Sequence, residues 1–325
     1  MIVNEMKNLS IQMLRGLCII VVFAGHTPPF YPLNAKYAVI VFLAMSSFLT
    51  ARNFDPSDKK YILRKIIALV PLYYAFTLLA FCLLKIFPAY FHSTLSSYVD
   101  LIKSLLFIPY VYNTPSGSYT YAILNIGWYM NIQMWFYVFY YLFAIIFKNK
   151  RNAAYSMFLM GMYLICVIFF KDAVLSKRYA LPLLCCSFGL IFHMFSVNLS
   201  FDIKIRNIYK ILILICLFIC GFILFENSLS DIVRALACCT VMFVFYIFDT
   251  KEKNVFTKIG DVNYEIYLSH YFVTMIVHRI IVDISSKTII NYLIALVIFI
   301  IVFYISKLIH YFRNKFTNYL SGIFL

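Results

Sequence analysis

The stretch "IQMLRGLCIIVVFAGHTPPF", residues 11–30, holds an arginine and a histidine, Arg15 and His26, inside an apolar run. An arginine within a membrane span costs about 2.5–3.5 kcal/mol on insertion scales, so it either snorkels to the nearer surface or faces a cavity and acts there. Arg15 lies about two turns from the start of the run, within snorkelling reach. His26, near the other end, could rest at the membrane interface. The pair is more informative than either member. Eleven residues at ~100° each come to three turns plus ~20°, so on a helix the two share one face, ~16 Å apart along the axis. That spacing fits a long, thin ligand with an anionic head, held at the arginine and reacting at the histidine. An acyl-pantetheine arm has about that reach. Histidine is also the side chain best suited to general-base work near neutral pH.

The elements that would position this pair are membrane helices. The 325 residues are 64% hydrophobic and 13% charged, with a mean hydropathy of +0.88. A soluble domain is about a quarter charged and about half apolar. Apolar periodicity and length predict an all-α, polytopic bundle of about ten spans, at residues 9–27, 34–50, 66–87, 126–147, 154–170, 179–197, 209–226, 231–248, 264–283 and 288–310. Residues 101–112 are apolar but short, and read as re-entrant or interfacial. The first run lacks a small-residue cleavage site and carries Arg15, so it reads as a retained helix rather than a signal peptide. Residues 1–325 then form a single membrane domain.

The formal net charge of +15 sits in the short connections between spans rather than in a basic stripe, which argues against nucleic acid. Lys7, the Arg52–Lys65 segment, Lys148–Arg151, Lys204–Lys210, Lys251–Lys258, Arg313 and Lys315 put about 17 positive charges on one side and leave about 5 on the other, so both termini are expected in the cytoplasm. The discordant segment is "KDAVLSKR", 171–178, which this topology places outside with three positive charges. The longest loop, 88–125, also falls outside and contains the turn-rich "YNTPSGSYT". The nine cysteines lie in apolar runs with no metal or disulfide spacing, and read as small packing residues. No metal site is expected.

"LRGLCIIVVFAGH" resembles the first-helix signature of the integral-membrane acyltransferase-3 type O-acyltransferases, matching at Leu14, Arg15, Gly16, Gly25 and His26. Four further stretches resemble that family in order. "VFLAMSSFL", 41–49, keeps Phe42, Ser46 and Phe48, with Ser47 in place of a glycine. "LRKIIALVPLYY", 63–74, keeps Arg64, Lys65, Pro71 and Tyr73, with Ala68 where an arginine is common. "WYMNIQMWFY", 128–137, keeps Trp128, Phe136 and Tyr137, with Gln133 replacing a glutamate. "IGDVNYEIYLSHYFV", 259–273, keeps Gly260, Tyr264, Tyr267, Leu268 and His270. The chain ends soon after its tenth span, so it resembles the stand-alone kind without an esterase-like domain.

The resemblance implies an acyl-coenzyme A donor, acetyl-CoA above all, and a hydroxyl acceptor on a surface polysaccharide, lipopolysaccharide or lipid-linked glycan precursor. The setting it implies is a bacterial plasma membrane. His26 would be the base or nucleophile, and Arg15, Arg52, Arg64 and Lys65 would hold the donor. Ser46, Trp128, Gln133, Tyr137, Tyr267 and His270 would bind or support substrates. Beyond the glycan and the membrane lipids, self-association is left open. The loss of a carboxylate at Gln133 and of an arginine at Ala68 also raises a non-catalytic member. A transporter or flippase for a lipid-linked sugar or acyl donor is the rival class. It would show matching broken helices in two halves, and no such repeat is visible. Glu265, His278, Arg279, Asp283 and Arg234 are further ionisable groups in or near spans, ranked lower because no motif includes them.

Overall fold

The computed structural model describes residues 8–27, 35–87, 97–109, 112–113, 119–120, 123–170, 173–197, 231–247, 253–280 and 289–325. These residues are almost entirely helical. In order they form α1 (Leu9–Gly25), α2 (Lys36–Asn53), α3 (Tyr61–Ile86), α4 (Tyr98–Leu105), α5 (Trp128–Phe147), α6 (Arg151–Phe169), α7 (Val174–Val197), α8 (Asp231–Ile247), α9 (Val255–Asp261), α10 (Asn263–Ile280) and α11 (Ile289–Phe324). Between α4 and α5, two short strands pair antiparallel, Tyr112 with Thr120 and Asn113 with Tyr119. They are the two ends of the turn-rich stretch noted in the sequence.

Among the described residues four stretches are long and apolar enough to cross a membrane, Tyr61–Ile86, Trp128–Phe169, Arg178–Val197 and Ile289–Phe324, and Leu9–Gly25 is a shorter apolar helix. Ten spans were expected. One of them, 209–226, lies outside the described residues. The other differences have a physical reason. In the four long stretches only 22–50% of the apolar window is buried, as suits helices facing lipid. Helices α1 and α2 are buried along most of their length, and α2 and α10 carry Ser47, Thr50, Glu265, Ser269 and His270 on buried positions. Neighbouring helices can satisfy such groups where lipid cannot.

Two boundaries also change. The expected 101–112 segment is the short helix α4, docked on α3 by tyrosine hydroxyls. Tyr74 donates to the Leu105 carbonyl at 2.8 Å and Tyr73 to that of Ser104 at 3.3 Å. The last span does not stop at 310; α11 continues to Phe324 through Arg313 and Lys315. Those charges do not break the helix because they have partners. Arg313 pairs with Glu265 at 2.9 Å, and Lys315 lies 4.8 Å over the Tyr311 ring.

The chain divides into two compact units, Met1–Asn53 with Asn152–Phe170 and Ala180–Asn263, and Phe54–Arg151 with Lys171–Tyr179 and Tyr264–Leu325. In the first unit α1 starts at an Asn8 cap, whose side chain accepts from the Ile11 N–H, and packs on α9 through two glycines. A Cβ on Gly16 would stand 2.0 Å from the Phe256 carbonyl oxygen, and one on Gly260 would stand 1.9 Å from that of Gln12. Helices approach this closely only where both lack side chains. The same device joins α7 to α2. A Cβ on Gly189 would stand 1.9 Å from the Ser47 hydroxyl and 2.7 Å from the Ala44 carbonyl. Ser47, which departs from the family pattern, is thus matched by a glycine opposite. Gly189→Ala is expected to destabilise the fold by about 1–3 kcal/mol. Adding Ser47→Gly should restore part of it, as read from thermal melting of the two variants in detergent.

In the second unit α3 packs on α4, α5 and α11. Tyr264 donates to the Leu69 carbonyl of α3 at 2.8 Å and Tyr267 to the Ile126 carbonyl just before α5 at 2.5 Å. Ser269 and Ser306 hydrogen-bond between α10 and α11 at 3.0 Å. The fully buried Glu265 accepts from His310 at 2.8 Å as well as from Arg313. The loop before α3 is held by an Asp55 side chain that accepts from the Ser57 hydroxyl at 2.7 Å and its N–H at 2.8 Å. Those bonds hold the Asp55 carboxyl below its usual pKa. This turn is therefore lost only as pH falls below the usual carboxylate range.

Candidate active site

Arg15 projects from the second turn of α1, next to Gly16. Its Nη1 donates to the Gln12 Oε1 at 3.2 Å, and Gln12 Nε2 donates to Asp261 Oδ1 at 3.1 Å. Residues three apart are neighbours on a helix, so Gln12 buttresses Arg15 from the preceding turn. Asp261 reaches Gln12 because the Gly16–Gly260 contact brings α9 against α1. Arg15 is half-buried and sits in a hydrogen-bonded chain that ends on a carboxylate. Its guanidinium is thus tied to the fold through Gln12.

His26 is the residue that ends α1, one position past the last helical residue. It is exposed. Its Nδ1 lies 2.7 Å from the Val22 carbonyl oxygen. A carbonyl only accepts, so Nδ1 carries a proton, and in the neutral ring Nε2 then carries the lone pair. The ring is oriented by its own helix with its basic nitrogen directed away from it. Ser46 is half-buried on α2. Arg52, in the last turn of α2, is exposed and lies 5.0 Å over the Tyr246 ring. All four of these residues belong to the first unit.

The second unit holds the remaining candidates. Arg64 is half-exposed and paired with Asp58. The Lys65 ammonium lies 5.4 Å over Tyr61 and 5.2 Å over Tyr137. Trp128 is buried with the Arg178 guanidinium 4.1 Å over its ring. Tyr267 packs against Tyr129 at 5.4 Å and against His270 at 6.0 Å. The fully buried His270 directs Nδ1 at the Ile266 carbonyl at 3.0 Å, the same tautomer as His26. Gln133 is 2% exposed, and neither polar atom of its side chain has a hydrogen-bond partner.

A family model described as an acyltransferase domain matches residues 8–318. The chain belongs to the acyltransferase-3 family. No curated protein and no solved structure matches it. As a member it is an acyltransferase with apolar membrane helices. The order of the motifs along the chain now has a spatial counterpart: the glycine beside the motif arginine and the glycine of the 259–273 motif are in contact across α1 and α9.

Three residues that the sequence alone did not single out, and one that it ranked low, take part in these arrangements. Gln12 and Asp261 anchor Arg15. Gln12 had a signal, being a polar residue three positions before Arg15 in a largely apolar helix; Asp261 had none, since only the packing of α9 places it. Arg178 comes from the segment that fitted the charge bias poorly, and its guanidinium is stacked on the motif tryptophan. Glu265, ranked low, holds α10 to α11 through His310 and Arg313.

Proposed function

We propose that this chain is an O-acyltransferase of the bacterial plasma membrane. It moves an acyl group, acetyl first among candidates, from acyl-coenzyme A to a hydroxyl of a surface polysaccharide, a lipopolysaccharide or a lipid-linked glycan precursor. It does so as a single membrane domain of about ten helices with both termini in the cytoplasm. The observation that carries this is on α1. Arg15 is held by Gln12 and Asp261 near one end, and His26 is fixed at the other with Nε2 as its basic nitrogen.

In this mechanism Arg15, Arg52, Arg64 and Lys65 meet the anionic end of the donor. His26 Nε2 takes the proton of the acceptor hydroxyl as its oxygen attacks the thioester carbonyl. The C–S bond then breaks, and the proton passes to the departing thiolate. Ser46 hydrogen-bonds the developing oxyanion. Trp128, Tyr137, Tyr267 and His270 shape the substrate path.

The test is mass spectrometry of surface glycans from cells with and without the protein. An acyl mass shift that appears only with it supports the proposal and identifies the group; its absence across the glycan classes named above overturns it. The ion pair at Arg64 gives a further expectation. Asp58→Asn releases Arg64 and should tighten acetyl-CoA binding about two- to threefold, the worth of a pair whose arginine is solvent-exposed. Titration calorimetry on the purified protein reads this directly.

A further inference from the structure

Gln133, Phe136, Tyr137, Tyr140 and Ala144 are buried on α5, and their spacing puts them on one stripe. One end of the stripe meets cations and rings. Lys65 stacks on Tyr137. Arg151 donates to the Tyr140 hydroxyl at 3.4 Å and lies 5.2 Å over the Phe54 ring. Phe54 in turn packs edge-on against Tyr140 at 5.2 Å. This is the end that the charge bias assigns to the cytoplasm. About 10 Å away along the axis, at the other end of the stripe, stands Gln133.

A buried amide whose donor and acceptor are both unmet costs about 1–3 kcal/mol for each group. A glutamine in that position is suited to a guest that offers an acceptor and a donor side by side, as a secondary amide does. The pantetheine arm of an acyl-coenzyme A carries such amides on a thin chain, with phosphates at its far end. The stripe presents the complementary order: an amide, then aromatic surface, then cations.

We propose that Gln133 pairs with an amide of the donor's pantetheine arm, and that Arg151, with Lys65, receives the phosphates at the Tyr140 end of the stripe. Gln133 is then a donor-binding residue in its own right, rather than a weakened version of the carboxylate found in relatives. This rests on acyl-coenzyme A being the donor, as proposed above.

The experiment is calorimetric binding of acetyl-coenzyme A and of S-acetylpantetheine, which lacks the phosphates, to the full-length protein in detergent. Gln133→Leu should weaken both ligands about tenfold, or about 1.4 kcal/mol. Arg151→Ala should weaken only acetyl-coenzyme A, by a similar factor. Asn131→Leu deletes another fully buried amide without partners about 200° around the helix from Gln133, and should change neither. Without ligand, Gln133→Leu should melt at or above wild type, because two unmet polar atoms are gone. Wild-type affinities in Gln133→Leu overturn the proposal, as does a lower melting temperature or an equal loss in Asn131→Leu. If the wild type binds neither ligand, the coenzyme A donor itself is wrong and this site falls with it.

Discussion

His26→Ala is expected to lower acyl transfer by about 10²–10⁴-fold, the usual contribution of a positioned general acid or base, while leaving the protein folded. The second half of this expectation follows from the structure. His26 is exposed and lies just past the end of α1, and one of its side-chain contacts is to a carbonyl of its own helix. Removing it opens no cavity in a packed core. Expression level and melting temperature should therefore match wild type, and the loss should appear in the rate. Glycan mass spectrometry, quantified against protein level, makes the comparison. Near-wild-type acylation by His26→Ala would exclude His26 as base and as nucleophile. Equal losses of activity and of folded protein would assign it a structural role instead.

Gly16→Ala and Gly260→Ala are expected to have the next largest effect, and through a different route. Each new methyl would meet a main-chain carbonyl at 2.0 Å or less, and main chain cannot turn aside as a flexible side chain can. Overpacking costs about 1–3 kcal/mol and sometimes more, so both variants should melt at lower temperature. They should also lose transfer, because α9 must move off α1 and take Asp261 away from Gln12, leaving Arg15 without its anchor. The two changes act on one contact, so the double variant should cost less than the sum. Gly161→Ala and Gly322→Ala serve as controls. A Cβ at either position meets nothing within 4 Å, and alanine should be neutral or raise helix stability by about 0.5–1 kcal/mol. If Gly16→Ala melts and transfers like wild type, the close α1–α9 contact is not what holds Arg15.

Much of this protein was legible in its sequence because membrane physics leaves few choices. Backbone groups in hydrocarbon must be bonded internally, so long apolar runs can only be helices, and α3, α5, α7 and α11 fall close to where periodicity predicts them. Arg15 and His26 were legible for a related reason. Ionisable groups are costly in apolar runs, and their separation on one helix follows from the helical repeat alone. The family followed from five short motifs in order, and a match over residues 8–318 supports it.

What lay beyond the sequence depends on contacts between residues far apart in the chain. No local pattern pairs Gln12 with Asp261, 249 positions later, or seats Arg178 on Trp128. No periodicity shows that Gly16 and Gly260 are small because they touch, or that Ser47 can be large because Gly189 faces it. The extent of α11 past His310, to Phe324, was likewise hidden. Charges in a helix read as its end until a buried partner, here Glu265, is found to neutralise them. The sequence by itself determined the helices and the candidate chemistry, because cost and repeat are properties of single segments. Which side chains are held, paired or left unmet was decided only by the tertiary structure, because those properties belong to pairs of segments.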